Sequence, residues 1–191
     1  MAEQKTNYFI HESSYIDDNV KIGSGTKVWH FCHILSGTKI GKNCSFGQNV
    51  MAGPDVIIGD GCKIQNNVSL YKGVILEDGV FCGPSMVFTN VMTPRSEVNR
   101  QNEYSQTLVR KGVTIGANAT IVCGHELGEY SFVAAGAVIT KNVIPHALMA
   151  GVPAKQIGWV AHSGEILGED LTCPRTGEAY EILNNRLQRK V

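Results

Sequence analysis

From Ile10 onward every sixth residue is apolar. The series runs Ile10, Ile16, Ile22, Val28, Ile34, Ile40, Phe46, Ala52, Ile58, Ile64, Leu70, Leu76, Cys82, Phe88. In a chain that is 43% hydrophobic, one phase would do this by chance about once in 10⁵. A second column four residues on is small, β-branched or Met, from Ser14, Val20 and Thr26 to Val80 and Met86. Gly or Asn recurs between the columns (Gly25, Asn43, Gly61, Asn67, Gly73, Gly79), where a sharp corner needs a left-handed backbone. A period of six is neither helical nor that of a simple strand. It describes a short strand and a turn repeated, the mark of a parallel β-helix. Three hexads close one triangular coil of 18 residues, and coils stack at about 4.8 Å. The pattern breaks after residue 90 and resumes shifted in phase at Val109, Ile115, Ile121, Leu127, Val133 and Ile139. Counted to residue 150, it predicts about seven coils, a prism of about 34 Å.

Composition agrees. Ile (16) and Val (19) far outnumber Leu (10), Gly numbers 21, and aromatics are 7%, which suits narrow walls and tight corners and not a helix bundle. The six cysteines (32, 44, 62, 82, 123, 173) lack CxxC spacing and read as small buried hydrophobes. Lys+Arg and Asp+Glu tie at 17, which argues against nucleic-acid or membrane-surface partners. No apolar run approaches the roughly 18 residues of a membrane span. The opening MAEQKTNYF lacks a leader's basic and apolar regions, so a cytoplasmic location is expected.

The repeat divides the chain into a β-helix domain, 1–158, and a C-terminal extension, 159–191. Residues 91–108, VMTPRSEVNRQNEYSQTL, form a polar excursion from one corner. A loop that long is expected to reach a ligand or a neighbouring subunit. In the extension, Pro and Gly within Cys173-Pro-Arg-Thr-Gly177 suggest a hairpin, with a short helix over 178–189 as the alternative.

The hexads of the form Ile/Leu/Val-Gly, the excursion loop and the closing run from Ala134 to Ala154 resemble the left-handed β-helix (hexapeptide-repeat) acetyltransferases. The all-β fold and its left hand are what that resemblance implies. The stretches Val28–His33, Lys63–Gly73, Phe81–Asn90 and Thr93–Ser96 are similar to bacterial N-acetyltransferases that act on the 3-amino group of UDP-linked 2-acetamido-3-amino-2,3-dideoxyglucuronic acid for O-antigen (lipopolysaccharide) biosynthesis. This implies acetyl-CoA as co-substrate, a UDP-amino sugar as acceptor, and a homotrimer with sites between subunits.

Many O-acetyltransferases of this family place a His where the loop begins; here Asn90 stands there. Asn cannot be a base at neutral pH, but it can accept a hydrogen bond from an amine and aim its lone pair, which points to an amine acceptor. His125, in a second-column slot that otherwise holds small, β-branched or Met residues, is the rival for chemistry. The alternatives are a buried His bonded to backbone and a reaction with no protein base, the CoA thiolate taking the proton. Residues 18 apart stack, so Lys72 lies one coil from Asn90 with Tyr71 beside it, and His30 lies two coils from Asn66. With Arg95 on the loop these are candidates for binding a diphosphate and a carboxylated sugar. The resemblance implies acetyl-CoA binding by Ala134, Ala135, Gly136, Thr140 and Lys141, with Val152, Pro153 and Lys155 near the nucleotide. Other readings are a different nucleotide-linked amino sugar (4-amino or 3-amino-6-deoxy), a trimeric zinc carbonic-anhydrase-like protein, and a noncatalytic scaffold. The six His show no zinc-site spacing, and no metal is expected.

Overall fold

The computed structural model describes residues 7–190. Readings that rest on residues 1–6 and Val191, the expected lack of a leader included, lie outside those residues. Three parallel sheets wrap one core. The first face stacks Phe9–Ile10, Lys27–Val28, Ser45–Phe46, Lys63–Ile64, Phe81–Cys82, Thr114–Ile115, Phe132–Val133 and Ala147–Gly151. The second stacks seven strands from Tyr15–Ile16 to Val138–Ile139, and the third stacks six from Lys21–Ile22 to Glu126–Leu127. Ile10 pairs with Val28 and Val28 with Phe46, so each first-column residue sits on the one 18 places before it. Two-residue strands follow from the period: one side chain points in, one points out, and then the chain must turn. The inward residues Val28, Ile34, Phe46, Ile64 and Leu70 are fully buried.

The second column is small because its side chains meet corner backbone. Thr26 Oγ1 donates to the Gly41 carbonyl at 2.9 Å, and Cys44 and Cys62 place Sγ 3.1 Å from the Gly59 and Glu77 carbonyls. These thiols are packing groups; burial alone pushes Cys82 up to about 12. All six cysteines are free and buried. Corner residues take the left-handed backbone that the spacing requires, as at Gly25 (φ 75°), Asn43 (φ 55°) and Asn67 (φ 61°). Gly41 serves another purpose: a Cβ there would lie 2.6 Å from the Gly59 carbonyl carbon and oxygen. Side chains close the same corners, Asp60 and Asp78 each accepting a backbone N–H of the preceding coil at 2.7 Å.

Two boundaries differ from the sequence reading. Val74 pairs with Thr107 and Val87 with Thr120, an offset of 33 in place of 18, so fifteen residues are inserted. Thr107 and Leu108 belong to the returning strand, and the excursion spans 89–106 rather than 91–108. The first face also gains an eighth rung, because Ala147–Gly151 stacks on Phe132–Val133 before folding back as a hairpin with Ala154–Trp159.

Beyond it, Tyr180–Leu183 and Arg186–Arg189 form a second antiparallel hairpin turned at Asn184 and Asn185, both at positive φ. Residues 178–189 therefore hold strand and not the alternative helix; an Asn-Asn turn favours hairpin closure. The extension has its own small core of Ala161, Leu167, Cys173, Tyr180 and Leu187. It docks on one prism corner through stacked rings: Tyr130 against His146 and His162, and His146 near Tyr180. Among the described residues no helix is long and apolar enough to cross a membrane.

Gly41→Ala is expected to lower stability by about 3 kcal/mol, the upper range for overpacking against groups that cannot yield, read as a fall in thermal midpoint. Gly61→Ala, whose Cβ meets nothing within 4 Å, carries only the left-handed penalty, about 1–2 kcal/mol. The docked extension also responds to acid. Burial holds the His146 imidazole below its ordinary 6.5, against the opposing pull of the Val160 carbonyl 3.0 Å from Nδ1. The undocked chain then binds the proton more readily, so docking is complete above about pH 6.5 and weakens as pH falls below it. Amide protection factors over 160–190, which divide out the intrinsic pH dependence of exchange, are expected to fall as pH drops below 6.5, and His146→Gln to flatten that response.

Candidate active site

The excursion leaves the prism at the corner between the second and third faces, and its neck is tied to coils on both sides. Thr89 Oγ1 accepts the Cys123 N–H at 3.0 Å, and the Thr89 N–H donates to Ile121 at 3.1 Å. Asn90 closes the neck, its carbonyl accepting the Ser105 N–H at 2.9 Å. On the return, Thr107 donates to the Gly73 carbonyl at 2.9 Å and Gly124 to the Gln106 carbonyl at 3.0 Å. Gly73 sits at φ 97°, and a Cβ there would press on the Ser105 carbonyl at 3.1 Å. The half-buried Asn90 is therefore fixed by backbone, and among the described residues its carboxamide has no hydrogen-bond partner.

His125 lies at the same neck, one residue beyond Gly124, with its carbonyl accepting the Leu108 N–H at 3.2 Å. It stacks next to Thr107, whose neighbour Leu108 pairs with Glu126. The side chain is half-exposed, unlike the buried Thr107 next to it in the column. Phe88 stacks on Ile121, so the fold brings Asn90 and His125 to one corner.

Tyr71 and Lys72 occupy that corner one coil earlier, both exposed. Lys72 pairs with Asp55 at 3.0 Å, so its charge is shared with the chain's own carboxylate. Asp55 is 17 residues before Lys72, and the stacking rule identifies it as a neighbour. Arg95 stands exposed on the excursion. The excursion is internally braced by the 2.6 Å ion pair of Arg100 with Glu103 and by the Val98 N–H donating to the Arg95 carbonyl. Arg100 escaped the sequence reading; its Nε is buried without a partner among the described residues.

His30 and Asn66 are elsewhere, on the corner between the first and second faces. His30 stacks on His11 with centroids 3.6 Å apart. Asn66 Oδ1 accepts the Gln48 N–H at 2.9 Å, a corner-closing bond like those of Asp60 and Asp78. Within one chain neither shares the Asn90 corner.

The residues that the resemblance implies for acetyl-CoA cluster at the C-terminal end. Ala134, Ala135 and Gly136 form the last corner between the first and second faces; Gly136 is at φ 70° and a Cβ would meet nothing within 4 Å. Thr140 and Lys141 follow on the corner in line with Asn90. Val152 and Pro153, both exposed, form the tip of the closing hairpin. Lys141 and Lys155 line one pocket of about 310 Å³ with Asn142, Met149, Gln156 and Asn185, a setting with two ammonium groups for an anionic ligand. A larger hollow of about 490 Å³ lies under the docked extension, beside Asp78, Lys111, Tyr130 and Ser163. It holds none of the residues singled out for chemistry. Among the described residues no group of three His, Cys, Asp or Glu is placed to hold a metal ion.

Comparison with known proteins agrees with this architecture. The family model for the bacterial transferase hexapeptide matches residues 19–54 and 37–72, and that for the hexapeptide repeat of succinyl-transferase matches 111–141. A dTDP-3-amino-3,6-dideoxy-α-D-galactopyranose 3-N-acetyltransferase from Aneurinibacillus thermoaerophilus is 39% identical over 160 residues, covering 84% of this chain and 82% of that protein. A hexapeptide-repeat acetyltransferase from Vibrio cholerae, solved with acetyl-CoA, is 26% identical with a TM-score of 0.50, covering 64% of this chain and 70% of the other. A polysialic-acid-specific acetyltransferase shares the fold at 17% identity and a TM-score of 0.56, over 78% of this chain and 74% of its own. With its hexad-built prism, its corner excursion and a relative this similar along most of both chains, the protein belongs to the hexapeptide-repeat acetyltransferases.

Proposed function

We propose that this acetyltransferase moves the acetyl group of acetyl-CoA onto the 3-amino group of a nucleotide-linked amino sugar, and that the acceptor is UDP-2-acetamido-3-amino-2,3-dideoxyglucuronic acid, used in O-antigen (lipopolysaccharide) assembly in the cytoplasm. The observation that carries the amine reading is Asn90, fixed by its backbone at the neck of the excursion. A carboxamide there orients an amine without needing to deprotonate it. A sugar amine is partly unprotonated near neutrality and demands less of a base than a hydroxyl does. The name of the 39%-identical relative, a 3-N-acetyltransferase of a nucleotide sugar, supports the same position of attack.

In this reading the amine nitrogen attacks the thioester carbonyl carbon, with Asn90 accepting one N–H so that the lone pair faces the carbonyl. The tetrahedral intermediate collapses with loss of the C–S bond. The CoA thiolate takes the proton that the nitrogen sheds, directly or by way of His125. Ala134, Ala135, Gly136 and Thr140 give the pantetheine arm a wall of small side chains and reachable backbone. Lys141 and Lys155 meet phosphate, with Val152 and Pro153 beside the nucleotide. Arg95 and Lys72 are the cations available to the diphosphate and the uronate carboxylate. His30, Asn66 and Tyr71 complete the acceptor's contacts. A homotrimer with sites between subunits is part of the reading, because His30 and Asn66 share no corner with Asn90 in one chain and the excursion exposes Met92, Val98 and Tyr104. A second reading takes a 3-amino-3,6-dideoxyhexose linked to dTDP as acceptor. The same relative favours it, as does the pairing of Lys72 with Asp55, which leaves less free charge for a carboxylate.

An acceptor panel scored by free-thiol release separates these readings. Turnover of the UDP-3-amino-uronate over its 6-deoxy counterpart is expected; preference for the 6-deoxy sugar would transfer the assignment to the second reading. Asn90→Ala is expected to lower kcat at least tenfold, and near-wild-type kcat would return the role to His125 or to the substrate alone. Lys141→Ala with Lys155→Ala is expected to raise the KM for acetyl-CoA about tenfold or more, the loss of one to two charge-assisted hydrogen bonds, with little change in the acceptor KM.

A further inference from the structure

Phe31 occupies a position where no other coil places an aromatic ring. At the same corner slot the later coils carry Asn49, Asn67, Ser85, Asn118 and Gly136, all at positive φ, and Phe31 shares their backbone at φ 56°. Bulky L residues disfavour that conformation, and Phe31 gains no burial in exchange, being 61% exposed. The strain is held in place: Ser13 Oγ accepts the Phe31 N–H, and Ser14 Oγ accepts the Cys32 N–H while donating to the Trp29 carbonyl. On the same two coils stand the exposed rings of Phe9, packed on Trp29 at 5.4 Å, and Tyr15, set edge-on to His33, in a chain with few aromatics. Trp29 and His30 lie parallel within 9°, centroids 6.5 Å apart, and His30 is backed by His11.

The protein contains its own precedent for this arrangement. On the corner between the third and first faces, Tyr130 (φ 55°) and His146 (φ 62°) replace the Gly and Asn of earlier coils, and there the extension brings His162 and Tyr180 against the rings. A bulky ring in a left-handed corner marks a place where another ring stacks. No described residue covers Phe31.

We propose that the Trp29–His30–Phe31 corner is a stacking site for the nucleobase of the acceptor nucleotide. Parallel aromatic and imidazole faces suit a flat heteroaromatic ring, and base–aromatic stacking tolerates any base. The adenine of CoA has the same chemistry, but the lysines assigned to CoA lie at the far end of the prism. The patch is on the second coil and Asn90 on the fifth, three coils or about 14 Å apart along the axis, the scale of a nucleoside diphosphate sugar from base to pyranose. Patch and Asn90 lie on different corners, so the cleft that joins them is formed between neighbouring chains. The inference rests on the nucleotide-sugar reading above, but its test requires no turnover.

Trp159→Phe leaves Trp29 as the sole tryptophan, and its emission can be titrated with UDP, dTDP, CoA and inorganic pyrophosphate. Saturable quenching by UDP or dTDP but not by pyrophosphate is expected, weakened at least fivefold by Phe31→Asn, which keeps a residue at ease in the left-handed slot. The same variant is expected to raise the KM for the nucleotide sugar at least fivefold with kcat within twofold. Absence of quenching by both pyrimidine nucleotides, quenching by CoA alone, or a Phe31→Asn protein that changes only its oligomeric mass would overturn the proposal. Quenching by UDP in a protein that acetylates no amino sugar would uphold the stacking site and defeat the acceptor reading.

Discussion

The coils of this prism are held to one another by backbone hydrogen bonds at a spacing of 18 residues, which the inserted excursion lengthens to 33 and the closing rung shortens to 16. That ladder sets what each position can hold. An inward residue must stack on its own kind, which selects Ile, Val and single rings such as Phe46 and Phe88. A second-column residue must sit against corner backbone, which selects Thr, Cys, Val and Ala. A residue facing a neighbouring corner at van der Waals limit must be Gly, as at Gly41. The candidate site inherits this regularity, since a side chain at a corner recurs on a fixed line along the prism.

The site uses the regularity by breaking it once. Fifteen residues are inserted without disturbing the ladder: the strands on both sides keep their partners, and the neck is bonded to the coils before and after it. Asn90 thereby gains a rigid backbone at the root of a projecting loop, and His125, in a column otherwise built for small groups, is left half-exposed beside it. Lys141 at the C-terminal end and the loop at mid-prism lie on one line of corners, with Lys155 on the closing hairpin beside Lys141, an open run that suits a long, thin co-substrate better than a closed pocket would.

Much of this was legible in the sequence because the period is strict. The inward column and the left-handed corners at Gly25, Asn43 and Asn67 follow from counting in sixes, and the stacking of Phe88 on Ile121 follows once the loop is taken as a pure insertion between the two runs. What escaped was what counting does not carry. The excursion's limits moved by two residues because Thr107 and Leu108 read equally as loop or strand until their partners Val74 and Ile75 are known. Asn66 presents the same amide whether it binds substrate or closes a corner, and counting does not show that its Oδ1 is already taken by the Gln48 N–H, leaving the amide nitrogen to face outward ligands. The ion pair of Lys72 with Asp55 was within reach of the stacking rule, whereas the buried Nε of Arg100 depends on how the loop folds on itself. In the extension the sequence suggests a hairpin but draws its turn at Cys173–Gly177, with a helix over 178–189 as the alternative; Asn184-Asn185, the turn between Tyr180–Leu183 and Arg186–Arg189, was an available signal left unused.

The central claim is chemical: an acetyl group passes from a thioester to a sugar nitrogen at the Asn90 corner. The direct measurement is to supply carbon-13-labelled acetyl-CoA with a UDP-linked 3-amino sugar and locate the label in the product by NMR. The account predicts one labelled acetyl group in amide linkage at the 3-position, resistant to hydroxylamine, formed at least tenfold more slowly by Asn90→Ala. A hydroxylamine-labile ester, or label at any other position of the sugar, would contradict it.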